Sequence, residues 1–279
     1  MDEKRRIIRT FLKNRAAVAG GIISIVIVGV AIFAPWIAPY DPLDQDVYHR
    51  FKPPGKGHLL GTDFYGRDIL SRVIWGSRIS LIVGTTSVAL AMLLGTALGV
   101  LAGYLGGALE SLVMRLADIM MSFPDEVFGI MMLVALGSGL TKVIIVIALL
   151  FTPRFARLAY APTRALKERD FVNAAVAVGA PKRRIIWKHI VPNVVGDALV
   201  MASLWVGTAI RLEANLSFLG LGVAPPTPTW GNMVREGVDY LMSAPWVATF
   251  SGLAILITIL GFNMLGDGIR DMVDPKLRI

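Results

Sequence analysis

The chain has 279 residues, of which 55% are hydrophobic and 17% are charged, and its mean hydropathy is +0.64. This composition lies outside the range of soluble domains and predicts a single membrane domain. Because cysteine is absent, disulfides, thiolate catalysis and cysteine-ligated metals are excluded. The net charge of +8 could indicate a nucleic-acid partner, but the basic residues border apolar stretches. We therefore interpret them as membrane topology signals and expect no nucleic acid.

The first predicted element is a membrane span over residues 16–37, which carry no charge. Such a stretch is long enough to cross roughly 30 Å of hydrocarbon. It is preceded by the basic residues Lys4, Arg5, Arg6, Arg9, Lys13 and Arg15. No small-residue cleavage site of a signal peptide is evident, so we expect an uncleaved span with the N-terminus in the cytoplasm.

Residues 41–78 are polar and rich in proline and glycine, and the topology predicts that they lie outside. Their many basic residues run against the positive-inside rule. The segment contains a compact motif formed by Gly61, Asp63, Gly66, Arg67 and Asp68. The two acids could form a catalytic pair or a metal site. We favour a turn closed by Asp–backbone and Arg–Asp hydrogen bonds.

A second span is predicted over residues 79–109, which are also free of charge. Small residues recur in it at every fourth position: Ala91, Gly95, Gly99, Gly103 and Gly107. Positions four apart lie on one face of a helix, and small residues there allow two backbones to approach closely. We expect a helix-packing seam rather than a solute groove.

The third predicted span, about residues 112–136, is interrupted by charges and by Pro124, which should kink it. Arg115 and Asp118 are three positions apart, so we expect them to form an ion pair on one helix face. That interpretation is preferred to a proton relay. The fourth span begins near Leu140.

The loop between the fourth and fifth spans is the most basic part of the chain and is predicted to be cytoplasmic. Two short helices are expected in it, the first with Asp170 as its N-cap. Gly179 suits a left-handed helix end, and Pro181 suits the start of the second helix, which Val191-Pro192 should end. A helix–Gly–helix element at the membrane surface is suited to binding a soluble partner.

The fifth span is predicted to begin near Ala198 and must accommodate two charges, Arg211 and Glu213. Each would cost on the order of 2.5–3.5 kcal/mol at mid-bilayer, so neither should face lipid. The charges are two positions apart and point to different helix faces. One interpretation places them on a water-filled path together with Asn215 and Ser217; pairing with a neighbouring helix is equally open.

The last predicted elements are an external loop over residues 223–246 and a sixth span over residues 240–266. Trp230 and Trp246 are expected near the membrane interface, where aromatic residues are enriched. In this six-span arrangement most basic residues lie on the cytoplasmic side, so both chain ends are predicted to be cytoplasmic.

Several motifs in a fixed order resemble permease subunits of ABC transporters in the dipeptide/oligopeptide/nickel family, in particular the dipeptide permease C-type subunit. They are Gly61–Asp68, Asn173-Ala174-Ala175 with Gly179, Ile190-Val191-Pro192, Leu216–Gly222, Pro225–Gly231 and Phe262–Asp271. The resemblance runs from about residue 31 to residue 278. Asn173 departs from the family, which usually has glutamate before the two alanines. Arg211 also departs, whereas Glu213 matches a family position.

The resemblance implies an all-α type I importer fold with six transmembrane helices. Residues 1–78 would form a tail, a first span and an external loop, and residues 79–279 the permease core with a coupling loop at 165–195. The implied partners are a second permease, two cytoplasmic ATPases that bind ATP and Mg²⁺, an external solute-binding protein and membrane lipid. The residues implied to contact the ATPases are Asp170, Phe171, Asn173, Ala174, Ala175, Gly179, Pro181, Ile190 and Pro192.

The chain carries no nucleotide-binding Gly-x-x-x-x-Gly-Lys-Ser/Thr sequence and no Gly-x-Ser-x-Gly or His-Glu-x-x-His. Its histidines, His49, His58 and His189, are scattered, which argues against a metal centre. We expect neither an enzyme nor a cofactor in this chain.

Two rival functions remain. An ion-coupled secondary transporter would be expected to show an inverted repeat, which the sequence does not display. A membrane scaffold would have little use for charges inside a span. Among importer solutes, peptide is the default, with glutathione, nickel chelates and oligosaccharides as alternatives.

Overall fold

A computed structural model describes residues 14–273, so the predictions for the basic N-terminal residues and for both chain ends lie outside the described part. The helices, with bounds as observed, are α1 (Arg15–Ile37), α2 (Ile69–Leu105), α3 (Gly107–Met121), α4 (Asp125–Leu136), α5 (Leu140–Lys167), α6 (Asp170–Ala177), α7 (Lys182–Ile185), α8 (Val191–Phe218), α9 (Trp230–Val238) and α10 (Trp246–Val273). Five helices in residues 14–273 are long and apolar enough to cross a membrane, or six if α3 and α4 count as one broken span. The all-α architecture predicted from the sequence is confirmed.

Two of the predicted spans differ in shape from expectation. Helix α2 begins at Ile69, ten residues before the predicted start, because the Asp68 carboxylate accepts the Ser71 amide N–H at 2.8 Å and caps the helix. The predicted third span bends at Pro124, as expected, but the bend of 98° is sharp enough to divide it into two helices, α3 and α4. Pro124 immediately precedes α4, where its fixed backbone angle starts the new helix.

The predicted glycine seam lies between α2 and α5, which form the most extensive helix–helix contact of the described residues. A Cβ atom at Gly95, Gly99 or Gly103 would lie 2.4, 2.2 or 2.9 Å from a carbonyl oxygen of α5. The prediction is confirmed for these three positions. It is wrong for Gly107, which begins α3 and would have nothing within 4 Å of a Cβ.

Pro192 does not end a helix, contrary to the prediction. A π-helical turn (Ile186–Ile190) joins α7 to α8, so one continuous helix runs from Lys182 to Phe218. In this turn the Val191 N–H bonds to the carbonyl of Ile186, five residues back. The wider turn accommodates the proline, which has no N–H to donate. The fifth span is therefore continuous with the short basic helix instead of starting near Ala198.

Residues 38–68 and α9 form a cap at one end of the bundle. Trp230 and Trp246 belong to this cap region, and Trp230 is enclosed by protein with 2% of its surface exposed; their position at the membrane interface stays a prediction. Its indole N–H donates to the carbonyl of Val73 at 2.9 Å, and that of half-buried Trp246 donates to the carbonyl of Thr62 at 3.2 Å. Both rings thus find apolar packing and a backbone acceptor inside the protein, which satisfies a buried tryptophan.

Candidate coupling surface and ion-paired face

Opposite the cap, residues 170–192 form what we call the coupling element. Gly179 ends α6 with φ of +77°, the left-handed conformation that glycine favours. The Gly179 N–H bonds to the carbonyl of Val176 at 2.9 Å, and the Ala180 N–H to that of Ala175 at 3.0 Å. These two bonds constitute a Schellman motif. The predicted helix–Gly–helix element is confirmed.

Two details at the helix starts differ from the prediction. Asp170 is the first residue of α6, and Arg169 occupies the N-cap position assigned to it. The Asp170 carboxylate still lies in the first turn of α6, where the helix dipole favours a negative charge. Pro181 is the N-cap of α7 rather than its first residue.

Replacing Gly179 with alanine is expected to loosen the coupling element, whereas asparagine should be tolerated better. No atom lies within 4 Å of a Cβ at this position, so the cost is backbone strain alone, about 1–2 kcal/mol. Amide hydrogen exchange of residues 170–181 should accelerate roughly 5–30-fold in Gly179→Ala. Equal exchange in Gly179→Ala and Gly179→Asn would contradict this explanation.

A buried apolar cluster attaches the coupling element to the bundle. Val172, Ile185 and Ile190 are at most 1% exposed. They pack with residues at the ends of α2, α5 and α8, namely Val100, Tyr104, Ala159 and Val194. A movement of the coupling element must therefore move these three helix ends with it, because a close-packed cluster transmits displacement.

The outer surface of the element carries an apolar stripe. Phe171, Ala174 and Val178 are exposed, the first by 44% and the last by 83%, and their spacing places them on one helix face. We call these three residues the docking stripe. Exposed apolar side chains grouped in this way mark a surface for a partner.

The remaining predicted coupling residues do not belong to the stripe. Ala175 and Ile190 face the bundle, whereas Pro192 is exposed. The Asn173 side chain turns back, and its amide donates to the carbonyl of Glu168 at 3.4 Å.

A second feature is a row of ion pairs that we call the ion-paired face. Each acidic residue of α3 and α4 in this row meets an arginine of α5 or α8. The pairs are Glu110–Arg164 at 3.1 Å, Asp118–Arg157, Asp125–Arg154 at 2.6 Å and Glu126–Arg211 at 2.9 Å. At 100° per residue, the three arginines of α5 fall within an arc of roughly 80°.

The predicted Arg115–Asp118 pair is not formed. Asp118 pairs with Arg157 instead, because α3 lies along α5 and brings a guanidinium from the neighbouring helix to the carboxylate. Sequence reasoning also missed the role of Asp125 and Glu126. Two acids directly after a helix-breaking proline, inside an apolar span, were the available signal.

The four candidate path residues divide between opposite faces of α8. Arg211 is exposed and pairs with Glu126 of α4, and half-buried Asn215 lies beside that carboxylate one turn further on. Glu213 and Ser217 are fully buried. Glu213 accepts hydrogen bonds from the hydroxyls of Ser217 at 2.7 Å and Ser80 of α2 at 3.1 Å.

In the cap, the predicted turn is present and forms part of a buried charge network. Asp63 accepts the Arg67 side chain at 2.7 Å and the backbone N–H groups of Tyr65 and Arg67. Arg67 and Arg72 also reach Glu236 of α9, at 2.8 and 3.2 Å. Arg67 binds Asp63, and Asp68 accepts the backbone N–H and the hydroxyl of Ser71 at 2.8 and 2.7 Å, so both acids of the motif are used in closing the turn and capping α2.

Comparison with known proteins gives consistent matches. Residues 95–279 match the family described as binding-protein-dependent transport system inner membrane component, and residues 4–54 match the N-terminal TM domain of oligopeptide transport permease C. The glutathione transport system permease protein GsiD of Pectobacterium atrosepticum is 41% identical over 97% of this chain and 90% of its own length. A Brucella suis protein named as a peptide transport system permease is 40% identical over 97% of this chain and 91% of its own.

A solved structure shares the fold. The inward-facing methionine ABC transporter MetNI contains a chain that matches 74% of this chain and 98% of its own length, with a TM-score of 0.58 and 20% identity.

Proposed function

The chain belongs to the family of binding-protein-dependent transport system inner membrane components, and from this premise we propose that its coupling element docks onto the ATP-hydrolysing subunits of an importer. The protein is a multi-pass inner-membrane permease subunit of an ABC importer with a type I fold. The observation that carries the proposal is the docking stripe, which is apolar, exposed and rigidly backed by the bundle.

The expected complex contains two such ATPases, which bind ATP and Mg²⁺, and a second, similar permease. An external solute-binding protein would deliver the solute to the cap side. In this arrangement the coupling element and both chain ends are cytoplasmic, in a bacterial or archaeal membrane. ATP hydrolysis takes place in the partner subunits.

The coupling of ATP to transport follows from helix continuity. When the ATPases close on ATP, they displace the docking stripe. The anchoring cluster passes this displacement to α2 and α5, and the unbroken helix from Lys182 to Phe218 carries it along the whole length of α8. A rigid-body change of this kind can turn the path from inward- to outward-facing. ATP hydrolysis would then reset it.

The proposed solute is a short peptide. The relatives' names give glutathione and peptide transport, and glutathione is itself a tripeptide. Asn173, which replaces the usual glutamate of the family, would contribute a neutral hydrogen bond to the ATPase and weaken docking without abolishing it.

The test is co-purification of the ATPases with the tagged permease from membranes in mild detergent. Val178→Asp places a charge on the docking stripe, and we expect ATPase recovery to fall about tenfold or more because a carboxylate would be desolvated in an apolar contact. The matched control is Val176→Asp, since Val176 is also exposed but points to the other side of α6.

The control should retain ATPase recovery within about twofold. Equal losses in the two variants would refute the assignment of the stripe. If no ATPase accompanies even the wild-type protein, the importer proposal fails, and ion-driven uptake should be measured instead.

A further inference from the structure

The Glu126–Arg211 pair joins α4 to α8 and leaves both charges partly exposed. Arg211 lies seven residues before the end of α8, which corresponds to roughly 10 Å of helix inside a membrane-crossing segment. The side chains of Arg211 and Glu126 are nevertheless 46% and 39% exposed. Charges in a membrane-crossing helix avoid lipid and face a water-filled cavity or another polar surface. The open side of the pair therefore meets water or another polar surface and not lipid.

The pair retains hydrogen-bonding capacity for a ligand. One bond joins Nη1 of Arg211 to Oε1 of Glu126. A guanidinium has five N–H donors in a fork that matches a carboxylate, and the second Glu126 oxygen can accept from an ammonium group. Asn215, beside the same carboxylate, adds an amide that can donate or accept.

The surroundings of the pair favour a role in the path over a purely structural one. Helix α4 is already tied to α5 by Asp125 and Arg154, whose side chains are only 21% and 27% exposed. The other acid of α8, Glu213, is fully buried against α2 and held by two hydroxyls. Of the two acid–arginine pairs at the start of α4, the Glu126–Arg211 pair is the more open.

We propose that Glu126 and Arg211 form a subsite for the charged ends of a zwitterionic peptide in transit. The terminal ammonium exchanges onto Glu126 and the terminal carboxylate onto Arg211, one after the other as the peptide moves past. Each peptide charge thereby meets a countercharge where a bare ion would be costly. This inference rests on the proposed function and adds the residues that recognise the solute inside the membrane.

The experiment uses the complete importer with its binding protein in proteoliposomes and follows uptake of a radiolabelled tripeptide per ATP hydrolysed. The variants are Glu126→Gln, Arg211→Gln and the double variant. We expect each to lower uptake per ATP by about tenfold or more, because hydrogen bonds to charged groups are lost. The concentration of binding protein that half-saturates ATP hydrolysis should change by less than about twofold, since docking outside the membrane is untouched.

The double variant separates the two explanations. If the pair only held α4 to α8, removing both charges would leave no unpaired charge, and uptake would recover toward that of wild type. That recovery would overturn the proposal, as would a loss of binding-protein-stimulated ATP hydrolysis in all three variants. Continued low uptake with stimulated hydrolysis intact supports it.

Arg78→Gln is the matched control. Arg78 is a further arginine in a membrane-crossing helix, but it stacks on Trp75 and lies between α1 and α2, away from α4 and α8. Uptake should stay within about twofold of wild type. A tenfold loss of uptake in Arg78→Gln would show that replacing any arginine of a membrane-crossing helix impairs transport. That result would overturn the proposal. If wild-type importer shows no ATP-driven tripeptide uptake, the peptide assignment falls, and this inference falls with it.

Discussion

Replacing Arg67 with methionine is expected to destabilise the protein by about 3–5 kcal/mol, the typical cost of removing one partner from a buried ion pair. Arg67 is 3% exposed and bonds to Asp63 at 2.7 Å and to Glu236 at 2.8 Å. Together with Arg72 these residues form a neutral set of two cations and two anions. Removing one cation leaves a net negative charge in the interior of the cap, where desolvation makes it costly.

The expected loss appears as a lower midpoint of thermal unfolding in detergent micelles, by at least roughly 6 °C for a chain of this size. Arg50→Met is the control, because Arg50 is an exposed residue of the same segment that stacks on Phe64. Its loss should cost no more than about 1 kcal/mol. Equal shifts in the two variants would mean that the buried network contributes little.

The network also explains how the cap is joined to the bundle. Asp63 and Arg67 belong to the segment before α2, whereas Glu236 belongs to α9. Asp68, which follows Arg67 in the sequence, caps α2 and also contacts His58 at 3.0 Å. A single run of eight residues, 61–68, thus closes a turn, starts a membrane helix and binds a distant helix. Of the six basic residues in 41–78, Arg67 and Arg72 are held in this buried network, so these two have a structural role.

Features that depend on local backbone chemistry could be predicted from the sequence. Gly179 adopts the left-handed conformation because its neighbours form a helix end, and that preference is a property of the residue itself. The same holds for the turn around Asp63 and Arg67. The seam of Gly95, Gly99 and Gly103 followed from spacing alone, since positions four apart share a helix face.

Features that depend on partners from elsewhere in the chain could not be predicted in the same way. Asp118 has an arginine three positions away, but its actual partner, Arg157, becomes close only when α3 packs along α5. Pro192 should end a helix because it has no N–H to donate. The π-helical turn before it changes the local hydrogen-bonding pattern, so the helix continues. The candidate path residues lie on two opposite faces of α8. Only the packing of α2 and α4 against this helix shows that Arg211 is exposed and Glu213 is buried.

Replacing Gly99 with alanine is expected to cost about 2–3 kcal/mol and to impair coupling as well as stability. A Cβ at this position would lie 2.2 Å from the carbonyl oxygen of Ala156 and 2.9 Å from its carbonyl carbon. The obstacle is backbone, so no side-chain rotation can relieve it, and α2 and α5 must separate. In lipid such a separation directly loses the packing that holds the helices together.

Gly29→Ala is the control, since Gly29 lies within membrane helix α1 and would have nothing within 4 Å of a Cβ. Alanine should be neutral or slightly stabilising there, because it forms helices better than glycine by up to about 1 kcal/mol. Thermal unfolding in detergent compares the two variants.

The effect of Gly99→Ala should extend to the coupling element, because Val100, the next residue of α2, packs in the cluster that anchors it. Moving α2 away from α5 opens that cluster, which includes Ala159 of α5 and Val172 of α6. We therefore expect faster amide hydrogen exchange in residues 170–181 of Gly99→Ala and unchanged exchange in Gly29→Ala. Faster exchange confined to α2 and α5 would show that the seam and the coupling element are independent, and that the ATPases do not act on the bundle through this cluster.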